Sequence, residues 1–335
     1  MLYIWQKTVD PMPNEKSRSV NGREPAPDTG VAPYANDLNH AGHRARVLRV
    51  WQTSPLRRSG KKVQFMQFGG NDLRPVIWLH SLEYPTAPPW GLCVDAAAEG
   101  FGILAVRRSG FGESCPVTSV DEEVAVLAEF LEDAGIERAV LVVEGTARPA
   151  GLKLAQTCPR ISFTFLVRPA YSDAEPGGLD PWVINLVLQT LQTQAGASLS
   201  LAALHQIGRR GGYAAVYESL FKLPCDREFI QTHTRDLNEA WACFSRINTE
   251  TFRRNLSVLI NDPALSPGAL EGFAGMALIG AETVPVWREA FEAKSAALGI
   301  ATATLPRGSF FTLHQSSTAF LELLKSAAQT APDRV

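Results

Sequence analysis

The chain alternates between short runs that are almost entirely apolar and longer stretches in which apolar residues recur at helical spacing. Runs at 46–52 (RVLRVWQ), 62–68 (KVQFMQF), 75–80 (PVIWLH), 101–108 (FGILAVRR), 138–143 (RAVLVV) and 161–167 (ISFTFLV) are followed much later by 275–280 (GMALIG) and 300–306 (IATATLP). The first two alternate apolar with polar positions and are joined by a turn containing Gly60, a pattern that predicts an antiparallel hairpin at a sheet edge. Most of the others are nearly continuous and separated by helical stretches, which predicts parallel strands covered on both faces.

The helices carry their own signals. Ser119-Val-Asp-Glu122 has the form of a capping box, Val124, Leu127, Leu131 and Ala134 then share one helical face, and Gly135 stands where a left-handed stop is needed. Further helices are predicted over 149–157, 285–297 and 315–328. Between Pro169 and about Gly272 the strand rhythm gives way to helical patterns broken by Gly, Pro and Asn-Asp. The organisation expected is a Pro/polar arm over 1–43, an α/β core over 44–168 and 273–335, and a helical cap over 169–272. The arm has too little apolar surface to offset its own ordering entropy, so it is read as mobile or laid across the body.

Composition narrows the function classes. The chain has 335 residues, 45% apolar and 20% charged, with a formal net charge of -2, which gives no electrostatic case for nucleic acid or an anionic membrane as a partner. The one local bias runs from Leu38 to Asn71, where Arg44, Arg46, Arg49, Arg57, Arg58, Lys61 and Lys62 are met by no Asp or Glu. It is read as the solvated face of the hairpin. The five cysteines are scattered, with no Cys-x-x-Cys and no Cys/His cluster, and His40 with His43 lacks a further ligand beside it. No metal or cofactor is expected, and a reduced, cytoplasmic compartment is; no 18-residue apolar span occurs.

The local wording resembles the α/β-hydrolase fold with a helical cap, over roughly residues 45–330. VIWLHS (76–81) is similar to the strand that ends in His-Gly ahead of the loop donating oxyanion-hole amides. ILAVRRSGFGES (103–114) is similar to the Asp-x-x-Gly-x-Gly-x-Ser turn, keeping Gly110, Gly112 and Ser114 but carrying Arg107 in place of the Asp. Residues 121–159 follow the family's helix, Gly-Ile-Glu-Arg linker, strand, elbow, helix and closing Pro. The resemblance implies a mostly parallel sheet with helices on both faces and an inserted all-helical cap.

Active members hold a serine in a Gly-x-Ser-x-Gly elbow. Counted back from Pro159, that pentapeptide lands on residues 143–147 and puts Gly145 in the nucleophile slot. The acid slot after 275–280 falls on Thr283, with Glu282 one residue early, and the histidine slot falls on Ser309. The triad therefore reads as degenerate at all three positions, and without a base a neighbouring hydroxyl is not activated.

Relocated candidates are Glu144 and Thr146 beside the elbow, His80 and Ser81 at the end of the third run, His314 near the base position, and Asp173 after 161–167. Each has a structural reading beside it: Glu144 paired with Arg148 or Arg107, Ser81 bonded within its loop, His80 ordering that loop, His314 held structurally, and Asp173 at a polar cap opening. Trp78, Leu82, Tyr84, Trp90, Phe111, Tyr171, Trp182 and Trp241 come from segments around the family's pocket, many of them core. The pocket candidates are His80, Ser81, Leu82, Gly145, Thr146, Tyr171, Trp182 and Trp241. The leading expectation is a catalytically degenerate protein that binds a small apolar ligand or a protein partner. The alternatives are an enzyme (hydrolase or cofactor-independent lyase) with relocated residues near Glu144, Ser81 and His314, and a structural or regulatory subunit of a homo-oligomer.

Overall fold

The computed structural model describes residues 50–169, 189–261 and 266–330. The arm 1–43, His40, His43, Tyr171, Asp173 and Trp182 lie outside the described residues.

The apolar runs become strands β1 (Gln52–Pro55), β2 (Lys62–Phe68), β3 (Arg74–Leu79), β4 (Phe101–Val106), β5 (Ala139–Glu144), β6 (Ile161–Val167), β7 (Gly275–Gly280) and β8 (Ala301–Leu305). They form one sheet in the order β1-β2-β4-β3-β5-β6-β7-β8. β1 and β2 pair antiparallel, β2 runs antiparallel to β4, and every later pairing is parallel. The uniformly apolar β4 and β5 are buried at every position, whereas β8, at the edge, is mostly exposed.

Alternate residues feed two separate layers, as the period-two geometry of a strand requires. Ile77, Leu79, Leu141 and Val143 face α2 (Val120–Asp133) and α3 (Arg148–Thr157), which follow α1 (Trp90–Ala98) in the chain. Val76, Trp78, Val140 and Val142 share the opposite layer with Leu92 and Ala96 of α1. Between β6 and β7 lie α4 (Gln194–Leu220), α5 (Pro224–Thr232), α6 (Thr234–Phe244) and α7 (Thr249–Asn261). These helices build a third cluster of their own around Leu204, Tyr217, Phe229, Leu237 and Phe252. Leu82, Tyr84, Phe111, Phe310 and Phe311, from loops at the sheet's edge, join it and seal the cap to the core. The chain closes with α8 (Pro285–Leu298), the short α9 (Thr312–Gln315) and α10 (Ser317–Thr330).

Local signals act as read, with two refinements. Ser119 Oγ accepts the Glu122 N–H at 3.1 Å, but the Glu122 carboxylate reaches back to the Thr118 N–H at 2.8 Å, one residue before the box. Gly135 ends the helix at φ 66°. Helix α1 has no side-chain cap and starts after Pro89, so the sequence offered no start signal there.

The basic hairpin is not simply a solvated face. Its turn docks on the acids of α2: Arg57 meets Asp133, Arg58 meets Glu132 and Lys61 meets Glu122. The Arg58 and Ser59 amides also donate to Glu129 at 2.6 and 2.8 Å. Three of the seven basic residues of that stretch, Arg57, Arg58 and Lys61, are thus met by acids of α2. Among the described residues, no helix is long and apolar enough to cross a membrane.

Candidate functional site

β5 ends at Glu144, and the chain turns at once through a single 3-10 turn, Gly145–Ala147, into α3, whose first turn holds Pro149. The turn requires φ 47° at Gly145, a value that glycine adopts at little cost. A side chain here would meet something. An added Cβ would lie 2.6 Å from Ser81 Oγ and 3.2 Å from Ser81 Cβ. The hydroxyl of Ser81, from the loop after neighbouring β3, occupies the place into which residue 145 would project.

Around that contact the loops hold each other through hydroxyls. Ser81 Oγ donates to the Glu83 carboxylate and accepts the Thr146 N–H at 3.4 Å. Thr146 Oγ1 accepts the Leu82 N–H at 2.8 Å and an Arg108 Nη1 proton at 3.4 Å. Ser81 and Thr146 are 1% and 2% exposed, so these bonds are made out of water, where an unmade one would be expensive. Arg108 is itself anchored to buried Glu123 of α2 at 3.1 Å, and Glu123 also faces Arg254 of α7 at 3.8 Å. One buried ion set thereby joins the elbow, the sheet-side helix and the cap.

His80 uses both ring nitrogens in this framework. Nδ1 lies 2.8 Å from the Ser81 carbonyl and Nε2 lies 3.1 Å from the Arg108 amide nitrogen. An amide can only donate, so Nε2 accepts and Nδ1 carries the proton. Burial, then the charges of Arg107 and Arg108, hold its pKa well below the ordinary value. The ring is a neutral spacer between loops, with Phe111 edge-on at 4.7 Å.

Glu144 is buried on the other side of the elbow. Burial raises its pKa to about 7, against the opposing pull of Arg168 and a Trp78 hydrogen bond, with Glu83 adding to the rise. The cation whose charge lowers the Glu144 pKa is Arg168. Arg107 is committed elsewhere: it binds the Pro85 carbonyl, lies 3.9 Å over the Trp51 ring, and meets Glu239 of α6 at 3.5 Å.

Thr283 and Ser309, the positions expected from the resemblance for acid and histidine, lie in the loops after β7 and β8. Thr283 is buried, its N–H bonded to the Gly280 carbonyl at 3.1 Å. Glu282 is exposed and accepts the Gly308 N–H at 2.5 Å. Ser309 is fully buried and precedes Phe310 and Phe311, which stack on Phe221 at 3.8 Å and Phe229 at 4.2 Å from the cap. His314, on α9, is half-buried against Tyr84 at 5.1 Å and Phe229 at 5.4 Å.

The structure thus brings together His80, Ser81, Leu82, Gly145 and Thr146, with Glu144 next to them. Trp241 sits among the cap helices against His205 at 5.9 Å, over Gly208. Trp78 and Trp90 belong to the layer on the far face of the sheet, where Trp78 meets Phe320 and Trp90 meets Phe68. Residues that the sequence did not single out are Glu83, Arg108, Arg168 and Asp226. Arg168 is marked only by its backbone, being the one non-glycine residue among those described with positive φ, at 44°. Among the described residues, no group of three His, Cys, Asp or Glu side chains could hold a metal ion.

No protein-family model matches the chain, and no curated protein matches it in sequence. Solved structures do match in shape. A bromoperoxidase from Bacillus anthracis superposes with a TM-score of 0.59 at 17% identity, over 84% of this chain and 100% of that one. A carboxylesterase structure from Nitrososphaera gargenis gives 0.57 at 12% identity, over 84% and 98%. The fold is that of the α/β-hydrolases. An esterase from Exiguobacterium antarcticum gives 0.56 at 13% identity, over 84% and 100%. In active α/β-hydrolases the oxyanion hole is built from the amide after the nucleophile and an amide from the loop after the preceding central strand. In this chain the amide after Gly145, that of Thr146, and the Leu82 amide in the loop after β3 both donate to the chain's own hydroxyls.

Proposed function

We propose that this α/β-hydrolase-fold protein is non-catalytic at its elbow and acts by binding a small ligand or a protein partner between the sheet edge and the cap. The observation that carries the reading is the occupancy of the two oxyanion-hole amides by Ser81 and Thr146. A tetrahedral intermediate needs those donors aimed at its oxygen, and here their protons are already spoken for. Gly145 at the nucleophile slot, with Thr283 and Ser309 at the others, agrees with this. The rings of Tyr84, Phe229, Phe310 and Phe311 pack on one another at 3.8–6.2 Å, with Tyr217 and Phe221 among them. That packing favours a small guest over a long apolar chain.

The test is activity and labelling. Purified protein is incubated with short- and medium-chain p-nitrophenyl esters and with a fluorophosphonate probe, and neither turnover nor labelling is expected. Labelling that vanishes in Thr146→Ala overturns the reading.

One observation favours a second reading. Ser81 Oγ lies where the elbow nucleophile would project and gives its proton to the Glu83 carboxylate, a hydroxyl-and-base pair without histidine. Labelling that vanishes in Ser81→Ala would establish that reading in place of the first.

A further inference from the structure

Buried polar groups in folded proteins almost always have hydrogen-bond partners, so a group of orphans in one place marks something absent from the chain itself. Around the 308–311 loop several occur together. Arg168 Nε and Nη2, Asp226 Oδ2, Tyr84 Oη and Thr283 Oγ1 are all out of contact with solvent and have no hydrogen-bond partner. They come from four different segments, the ends of β3, β6 and β7 and the first turn of α5.

The arrangement is organised by Phe310. Arg168 lies 3.9 Å over its ring. Asp226, 0% exposed, takes the Phe310 N–H on Oδ1 at 2.9 Å and leaves Oδ2 open. Tyr84 packs on the adjacent Phe311 at 5.1 Å. Arg168 is held in the left-handed region, φ 44°, with its own N–H on the Leu278 carbonyl at 2.8 Å. Strain of that kind in a non-glycine residue costs on the order of 1–3 kcal/mol and is kept where the surroundings impose it.

The open atoms select a ligand chemistry. Nε and Nη2 are the two nitrogens on one side of the guanidinium, the edge that takes both oxygens of a carboxylate in parallel hydrogen bonds. Asp226 Oδ2 is an acceptor in want of a donor, and Tyr84 Oη can supply a donor. We propose that this cluster binds a small carboxylic acid that also carries a hydroxyl or ammonium group, with its carboxylate on Arg168 and its donor on Asp226. The carboxylates of Glu144 and Asp226 near Arg168 disfavour a bulky or multiply charged anion, since both act on the same single cation. This assignment rests on the binding reading above and gives it a ligand class.

The test uses the full chain and named probes: acetate and butyrate as plain acids, lactate, 3-hydroxybutyrate and alanine as donor-bearing ones. Binding is read at millimolar concentration by saturation-transfer NMR and by the thermal midpoint. The donor-bearing acids are expected to bind more tightly than the plain ones. Arg168→Met is expected to weaken them about tenfold or more. Arg168→Lys, which keeps the charge but not the fork, is expected to weaken them too, and the thermal midpoint of each variant without ligand reads its folding. Asp226→Asn keeps an acceptor for the Phe310 N–H but presents a donor at the open position, so it is expected to erase the preference for donor-bearing acids.

Binding that survives both Arg168 variants overturns the proposal, as does the absence of binding by every acid, which would assign the open atoms to water. Equal binding of plain and donor-bearing acids overturns the role of Asp226. None of these outcomes alters fluorophosphonate labelling, so failure here is distinguishable from failure of the elbow reading.

Discussion

The elbow and the 308–311 loop lie at the same edge of the sheet under the same cap, yet they treat buried polar atoms in opposite ways. At the elbow, Ser81, Thr146 and the Leu82 amide are bound to one another, and His80 has both nitrogens in use. Around Phe310, Arg168, Asp226, Tyr84 and Thr283 each keep an open polar atom. A closed network rigidifies and gives nothing to a substrate, whereas an open one is unfinished until a guest arrives. In an active enzyme of this fold the elbow would be the open region. The difference suggests that the region suited to recognition has shifted along the sheet edge.

The comparison breaks most severely if the elbow is made to carry a nucleophile again. Gly145→Ser forces a side chain into φ 47° and sets its Cβ 2.6 Å from Ser81 Oγ. Left-handed strain and overpacking together are expected to cost about 3–4 kcal/mol, read as a lowered urea midpoint. Gly145→Ser combined with Ser81→Gly should recover the overpacking part, because the two changes share one contact. Additive losses would mean that Ser81 does not fill the nucleophile's place.

A second prediction separates the two regions by pH. Burial raises Glu144 from its ordinary 4.5 to about 7 and Asp226 from 3.8 to about 6. Folded pKa values above the unfolded ones mean that the folded chain holds these protons more tightly. The stability they contribute is complete below about pH 4 and is lost as pH rises through 6 and 7. Glu144 alone is expected to make the protein about 2–3 kcal/mol less stable at pH 8 than at pH 5. Glu144→Gln should remove that fall and raise the midpoint at pH 8. His80 works in the opposite direction: burial and the charges of Arg107 and Arg108 hold its pKa below the ordinary 6.5, so the unfolded chain binds this proton in preference to the folded one and His80 adds stability as pH rises through that value. A profile unchanged by Glu144→Gln would place the titrating group elsewhere.

How much of this was legible beforehand follows from the range of the forces involved. The strands were readable because burial on both faces demands uninterrupted apolar residues, as at 139–143. The elbow was readable because a strand running into a helix through Gly145 leaves few other conformations. Helix α1 was not, since Pro89 supplies no side-chain cap and the helix buries only Leu92, Cys93 and Ala96. Arg168 and Asp226 lie 58 positions apart by their numbering and meet only across Phe310, a contact that no local spacing encodes. Ser81 is a candidate from sequence alone, but its position over Gly145 depends on the pairing of β3 with β5.

The smallest effect tests whether the elbow is closed by Thr146 itself. Thr146→Val keeps the shape and removes the hydroxyl that accepts the Leu82 N–H at 2.8 Å and an Arg108 proton at 3.4 Å. The Leu82 amide would then be buried without a partner, at a cost of about 1–2 kcal/mol, since a neutral hydrogen bond contributes about 1 and an orphaned donor somewhat more. Hydrogen exchange distinguishes this from a general loss of packing: the Leu82 amide should lose protection while amides of β5 keep theirs. If protection at Leu82 is unchanged, the amide has another acceptor, and the closure of the oxyanion site would rest on Ser81 alone.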